Sequence, residues 1–352
     1  MKEASGVSSS KTMSDRMSAH WAATPVRVFE SVAPYRVWRQ TIMHKGESVG
    51  FVPTMGALHE GHLQLVDASL RENDHTVVSI FVNPAQFAPH EDLSTYPRTI
   101  QSDLERLGTR ATAAQREGRM VALLPQVNDM YPFGITQHVP DQVGAFVEVQ
   151  GLSHQMEGQT RPTFFRGVAT VVTKLFNIVL PDRAYFGQKD IQQSIVIRRL
   201  VDDLLFTFPH GSKNVRVMPT ARDPNDGLAL SSRNKYLDEP GRQAAPVLYA
   251  GLLLGSQTWS DLQAQGVPPA DRVASTLDAV RSHIERATPS HARIELDYVS
   301  LNDPETLVQL APGHAAGDEV ILSGAMYVYN RAHDPKPAAR LIDNVLIGFT
   351  LY

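Results

Sequence analysis

The chain has 352 residues, more than one hydrophobic core usually holds, so two domains are expected. Its 33 basic and 37 acidic residues leave a formal charge of −4. With no basic excess, neither nucleic acid nor an anionic membrane surface is an expected partner. No cysteine is present, which excludes disulfides, thiolate nucleophiles and thiolate zinc sites.

Residues 1–25 are Ser-rich and of mixed charge (Lys2, Glu3, Lys11, Asp15, Arg16) and lack an apolar signal core. A disordered tail is expected there. Organelle targeting by this tail is the alternative, and the cytoplasm is the default location. No apolar run reaches the roughly 18 residues a membrane-spanning helix needs.

A βα alternation begins near Ser48. Val49–Val52 reads as a strand stopped by Pro53, and a glycine-bearing loop runs from Thr54 to Gly61. From His62 a helical pattern sets Leu63, Val66 and Leu70 on one face. Thr76–Val82 is a continuously apolar strand broken by Asn83-Pro84, the pattern of a parallel sheet buried on both faces. Thr99–Leu107 reads as a helix, Gly108–Gly118 as a polar surface insertion, and Met120–Leu124 as a strand. A helix over Val168–Val179, a strand over Ala184–Phe186, a helix over Ile191–Leu205 and a strand over Val215–Met218 complete the alternation. The fold class this predicts is α/β, a doubly wound Rossmann-like parallel sheet over residues 26–220. The turn-rich Asp223–Gly227 leads into a smaller α+β lid domain over residues 221–352. Its helices are expected around Arg242–Leu254 and Ala270–Ala287, and its strands at Ile294–Tyr298 and Val320–Tyr329.

The loop Pro53–His62 follows the first strand of this alternation and opens its first helix. Ligands of doubly wound sheets bind at the carboxyl ends of strands, and a helix N-terminus there presents free N–H groups to an anion. His59 and His62, three residues apart, can face one point, and Gly61 lets a ligand approach the backbone. Imidazoles so placed can donate to phosphate oxygens as charge builds on them. The sequence fits neither a Walker loop nor Gly-x-Gly-x-x-Gly, so P-loop kinases and dinucleotide dehydrogenases are disfavoured. A zinc hydrolase using the two histidines and a purely structural pair both stay open here.

Three further segments carry polar chemistry. Asn83 and Gln86 follow a strand end, where their amides are expected to line the crevice. Gly187-Gln188-Lys189-Asp190 opens a helix: Gly187 permits close approach, Lys189 offers a charge for phosphate, and Asp190 is either a helix cap or an acceptor for ribose hydroxyls. Gln193 lies one turn on and can face the same cleft. Leu230-Ser231-Ser232-Arg233-Asn234 offers two hydroxyls and a guanidinium to an anion.

His59-Glu60-Gly61-His62 is similar to the His-x-Gly-His signature of the adenylate-forming nucleotidyltransferases. The longer string Pro53–His62 resembles the pantothenate synthetase family in particular, and the resemblance runs from about Val49 to Arg340-Leu341-Ile342-Asp343-Asn344. It implies an ATP-dependent ligase joining pantoate to β-alanine through a pantoyl adenylate, with Mg²⁺ and a homodimer. It implies His62 and His59 as catalytic residues. Met55, Gly56, His59, His62, Gly187, Lys189, Asp190, Ala221, Leu230, Ser231, Ser232 and Arg233 would hold ATP. Gln86, Gln193 and Asn83 would hold substrate, and Asp103 resembles an acid that helps place Mg²⁺. Four departures stand out: Gln188 stands where the family usually has Glu, Arg161-Pro162-Thr163-Phe164-Phe165 replaces the common Arg-Pro-Gly-His-Phe, the segment from Ala221 to Gly227 is one residue longer than usual, and the Gly108–Gly118 insertion is unusual. A cytidylyltransferase or pantetheine-phosphate adenylyltransferase would share only the first loop. A nucleotide sensor without activity would not need every charged and hydroxyl position kept.

Overall fold

The computed structural model describes residues 24–88, 93–289, 292–313, 317–331 and 333–351, so the expected tail lies outside the described residues up to position 23. Six strands build one sheet: β1 Arg27–Phe29, β2 Val49–Thr54, β3 His75–Ile80, β4 Met120–Leu123, β5 Arg183–Gly187 and β6 Val215–Met218. Every neighbouring pair is parallel, in the order β1-β4-β3-β2-β5-β6. Helices α1 Val32–His44, α2 Glu60–Glu72, α3 Ile100–Ala113, α4 Phe164–Val179 and α5 Ile191–Asp203 cover it.

The unbroken apolar strands follow from this layering. Successive side chains of a strand leave opposite faces. Phe51, Val77 and Val121 therefore pack with Tyr35 and Trp38 of α1 and Phe176 of α4. Their neighbours Val52, Val78 and Ala122 pack on the other face with Val66 and Leu70 of α2 and Leu104 and Leu107 of α3. Each such aromatic or aliphatic side chain contributes about 1.5–3 kcal/mol by leaving water.

Three expectations are corrected. The alternation starts at Arg27 rather than near Ser48, because β1 and α1 precede it. Pro53 does not stop β2, which continues to Thr54 with Pro53 opposite Ser79. On the other side β2 pairs with β5 at Gly50 and Phe51, before Pro53 is reached, so the proline's missing N–H falls beyond that pairing. The stretch 108–118 is no surface insertion in its first half. Helix α3 runs to Ala113, with Gly108 and Ala111 buried. Gly108 is the point where the incoming chain crosses the helix, since a Cβ there would lie 3.0 Å from Pro25.

The second unit is a three-stranded antiparallel sheet, β7 Arg293–Asn302, β8 Val320–Tyr329 and β9 Ala339–Ile347. Helices α6 Val247–Ala264 and α7 Pro269–Ala287 bury Leu252, Trp259, Val280 and Ile284 against Leu301, Leu322 and Met326 of that sheet. Strand β9 has no counterpart among the sequence expectations. Its central Asp343 and Asn344 are both buried and break the alternation that marks a strand.

In the large sheet the chain moves from β2 outward to β3 and β4, then returns across β2 to β5. The switch point therefore lies between the carboxyl ends of β2 and β5. These ends carry the 53–62 loop and the 187–190 turn.

Candidate active site

The first loop holds a costly backbone shape. Gly56 and Ala57 both have positive φ, +87° and 51°. For alanine that conformation costs roughly 1–2 kcal/mol. Asp103 of α3 offsets it. Its carboxylate accepts from the N–H of Ala57 at 3.0 Å and of Leu58 at 2.8 Å, and from the Thr99 hydroxyl at 3.1 Å. Asp103 is 1 % exposed, and its oxygens serve the loop. Gly56 has no Cβ because one would lie 3.2 Å from that carboxylate.

The loop delivers His59 as the N-cap of α2, with Nδ1 accepting from the N–H of Gly61 at 3.2 Å. His62 Nδ1 accepts from the N–H of His59 at 3.4 Å, and the two rings lie with centroids 4.1 Å apart, tilted by 41°. Burial, then the positive charge of Lys189, lowers the pKa of His59 to about 4. Burial, then His59, lowers that of His62 to about 3. Both imidazoles are neutral at pH 7. An Nδ1 that accepts carries no proton, so the ring proton sits on Nε2 of each. The pair thus offers two neutral N–H donors at a helix N-terminus, where developing negative charge is favoured.

The turn at the end of β5 sits beside them, since Lys189 and Asp190 both act electrostatically on the two histidines. Ala221 also borders the loop: a Cβ at Gly61 would lie 3.6 Å from it. Lys189, Asp190, Gln193 and Arg233 line one cavity of about 330 Å³, walled on the far side by Tyr298, Tyr327 and Arg340 of the small sheet. Lys189 and Ser231 together line a narrower recess with Tyr249 and Asp343. Ser231 caps the short turn Ser232–Tyr236, its hydroxyl accepting from the N–H of Arg233 at 3.2 Å. Leu230 holds the loop to the cleft, its N–H donating to the carbonyl of Ala221 at 2.8 Å.

Gln86 and Asn83 divide their work. Asn83 is 1 % exposed and has used all four amide positions. Its Nδ2 donates to Gln86 Oε1 at 3.0 Å and to the Gly167 carbonyl at 3.2 Å, while its Oδ1 accepts from the N–H of Ala85 and the hydroxyl of Tyr131. Asn83 thus orients the amide of Gln86. The turn can press on α4 only because Gly167 lacks a side chain, as a Cβ there would lie 2.2 Å from the Ala85 carbonyl. Arg161, which lines the cavity, donates to the Gln86 carbonyl at 3.0 Å and stacks 4.0 Å over the ring of Phe164. The phenylalanine that departs from the usual histidine thus supplies a face for that guanidinium.

The family model described as pantoate–β-alanine ligase matches residues 27–346. The chain is 42 % identical over 327 residues to the pantoate–β-alanine ligase of Saccharomyces cerevisiae, covering 92 % of this chain and all of that one. It is 41 % identical over 322 residues to the pantothenate synthetase of Moorella thermoacetica, covering 92 % and 99 % of the two. The crystal structure of pantothenate synthetase from Thermus thermophilus superposes with a TM-score of 0.69 at 41 % identity, over 91 % and 99 % of the two chains. That of the Francisella tularensis ligase complexed with β-γ ATP and β-alanine gives 0.62 at 28 % identity, over 93 % and 100 %.

The chain belongs to the pantoate–β-alanine ligase family.

For a member of the pantoate–β-alanine ligases, the sequence motifs leave out one wall of the site. Gln192, 2 % exposed, donates to the carbonyls of Leu152 and Gln155 and accepts from the N–H of Glu157, fixing the strap before α4. Glu157 then meets Arg340 of β9 at 2.6 and 3.0 Å and the hydroxyl of Tyr298 at 3.1 Å, across the cleft. Burial first, then Glu157, raises the Tyr298 pKa far above its usual range, so it stays a donor. No local motif marks Glu157, Tyr298 and Arg340, because Glu157 lies more than 100 positions from both of the others, and Asp297, which also pairs with Arg340, lies 43 positions from it. Among the described residues no group of three or more His, Asp or Glu side chains is placed to hold a metal ion.

Proposed function

We propose that the site runs the ligase reaction of its family in two displacements at one place. A carboxylate oxygen of pantoate attacks the α-phosphorus of ATP, the bond to the β-phosphate oxygen breaks, and pyrophosphate leaves. The amine of β-alanine then attacks the acyl carbon, AMP leaves, and the amine loses a proton. A carboxylate is a poor acyl donor because oxide is a poor leaving group, and the adenylate replaces oxide by AMP. No covalent protein nucleophile is needed, so the protein's work is orientation and charge stabilisation.

Charge on the α-phosphate grows in the transition state, and His62 and His59 donate their Nε2 hydrogens to it. Neutral histidines suit this role, since they bind developing charge without a prior ion pair that would stabilise the ground state equally. Lys189, Ser231, Ser232 and Arg233 hold the leaving phosphates, Asp190 the ribose, and Met55, Gly56, Gly187, Ala221 and Leu230 the rest of the nucleotide. Gln86 and Gln193 hold pantoate. Mg²⁺ belongs here as the counter-ion of the nucleotide. The residues present do not build a protein cage for it, given the commitment of Asp103 to the loop. The same reading puts the protein in the cytoplasm as a homodimer. No helix among the described residues is long and apolar enough to cross a membrane.

The observation that carries this reading is the neighbouring neutral histidine pair at the α2 N-terminus, beside Lys189 and Asp190. The test is pyrophosphate release from ATP with Mg²⁺ and pantoate, with and without β-alanine. Steady turnover needing both, with AMP formed in step, is expected, and pantoate alone should give a single stoichiometric burst. Release indifferent to pantoate would overturn the assignment.

A further inference from the structure

Two adjacent residues of β9 reach out of the small sheet into the nucleotide side of the cleft. Asn344 is 2 % exposed. Its Nδ2 donates to the carbonyls of Gln188 at 2.9 Å and Lys189 at 3.0 Å, and its Oδ1 accepts from Gln188 Nε2 at 3.1 Å. Asp343, 5 % exposed, takes both arms of Arg222 at 2.7 and 2.9 Å. Arg222 also donates to the Gly227 carbonyl at 3.1 Å and lies 3.3 Å over the ring of Tyr249. Arg222 begins the segment that ends in Ser231–Arg233.

A peptide unit is planar, so a carbonyl cannot turn without turning the N–H of the next residue. Two adjacent carbonyls held by one amide fix the planes that carry the N–H groups of Lys189 and Asp190. The exit direction of the Lys189 side chain is fixed with them. Asp190, the N-cap of α5, makes no side-chain capping bond that would duplicate this grip from within the large sheet.

We propose that Asn344 is a positioning residue for the adenylation step: from the second sheet it sets the Lys189–Asp190 turn, while its neighbour Asp343 sets the segment leading to Ser231–Arg233. Strand β9 thereby registers two phosphate-holding segments that belong to different parts of the chain. The inference rests on the nucleotide role proposed for those segments and adds a residue that touches no substrate.

The test compares Asn344→Asp with Gln188→Ala in the pyrophosphate-release assay, with melting temperatures measured alongside. Asn344→Asp keeps the acceptor for Gln188 and replaces both carbonyl-binding hydrogens by an oxygen. Gln188→Ala removes the third hydrogen bond and leaves those two intact. Asn344→Asp is expected to lower kcat/KM for ATP by about 10- to 100-fold, the scale of a sub-ångström to ångström misplacement of a reacting group. The KM of β-alanine should stay within about twofold, and Gln188→Ala within about threefold of the parent in every kinetic constant. If the added charge prevents folding, neutral Asn344→Ser removes the same hydrogens and carries the same expectation. Two results overturn the proposal: variants at both positions that lose stability alike with kcat/KM for ATP unchanged, or an Asn344 variant that weakens all three substrates equally. A parent enzyme with no pantoate-dependent release would count against the ligase reading itself, a separate failure.

Discussion

Replacing Asp103 by asparagine separates a loop anchor from a metal ligand. The carboxylate accepts three hydrogen bonds, from the N–H of Ala57 and Leu58 and the hydroxyl of Thr99. Asparagine has one oxygen and one NH₂ at the same places. Its oxygen can keep one loop amide, and its NH₂ then faces the other, donor against donor. Forcing two donors together costs about 1–3 kcal/mol, toward the lower end where the N–H of Ala57 keeps the Thr99 hydroxyl at 3.2 Å, and the surviving bond loses the assistance of a full charge, roughly 1 kcal/mol more. The sum is about 2–4 kcal/mol. At about 2–4 °C per kcal/mol for a domain of this size, the melting temperature should fall by roughly 5–15 °C. Activity should fall too, because the released Ala57 no longer sets the loop that delivers His59. The assay pairs calorimetry without magnesium with pyrophosphate release titrated in magnesium. The anchor predicts the melting shift without any change in the magnesium concentration for half-maximal rate. An unchanged melting temperature with a raised magnesium requirement would refute it.

His62→Ala should slow adenylation by about 10²–10³-fold, the usual loss for one donor to a developing oxyanion, and a near-normal single-turnover rate would sink the central role. Neither His59 nor His62 should titrate near the ordinary 6.5; their ring resonances should hold steady from pH 8 to about 5.5 and move near 4 and 3. The sign follows: between 6.5 and those values the unfolded chain binds protons that the folded site refuses, so stability falls as pH drops through that window. A midpoint near 6 for either ring in NMR would contradict the half-buried, backbone-bonded geometry. Gly167→Ala would put a Cβ 2.2 Å from the Ala85 carbonyl, and the turn carrying Gln86 must move. The KM of pantoate should rise about tenfold with that of ATP little changed; an unaltered KM for pantoate would detach Gln86 from substrate.

Much of the site is legible in the sequence because its signals are local. A strand end, a Gly-flanked pair of histidines and a helix start fall within Pro53–His62, and the lysine–aspartate turn at 187–190 repeats the arrangement at β5. The partners of Asn83 and Asp103 are not legible in the sequence, for one shared reason. A polar residue at a strand end or on a helix looks available until its partners are known, and those of Asn83 include Tyr131 and Gly167, while those of Asp103 include Ala57 and Leu58. Gly108 of α3 suggests a break, yet glycine is there so that Pro25 can cross.

The sequence by itself determined the parallel sheet, through strands apolar on both faces, and which loops at strand ends carry the donors proposed for phosphate. Hydrophobic period and turn chemistry act within a few residues and can be read in one dimension. The tertiary structure alone decided which polar groups are spent on other parts of the chain, as Asn83 and Asp103 are. It also decided that β9, with Arg340, Asp343 and Asn344 along it, is a strand gripping Glu157, Arg222 and the Lys189 turn. A buried hydrogen bond between residues more than 100 positions apart leaves no periodic trace, because its free energy depends on geometry that exists only once both sheets have formed.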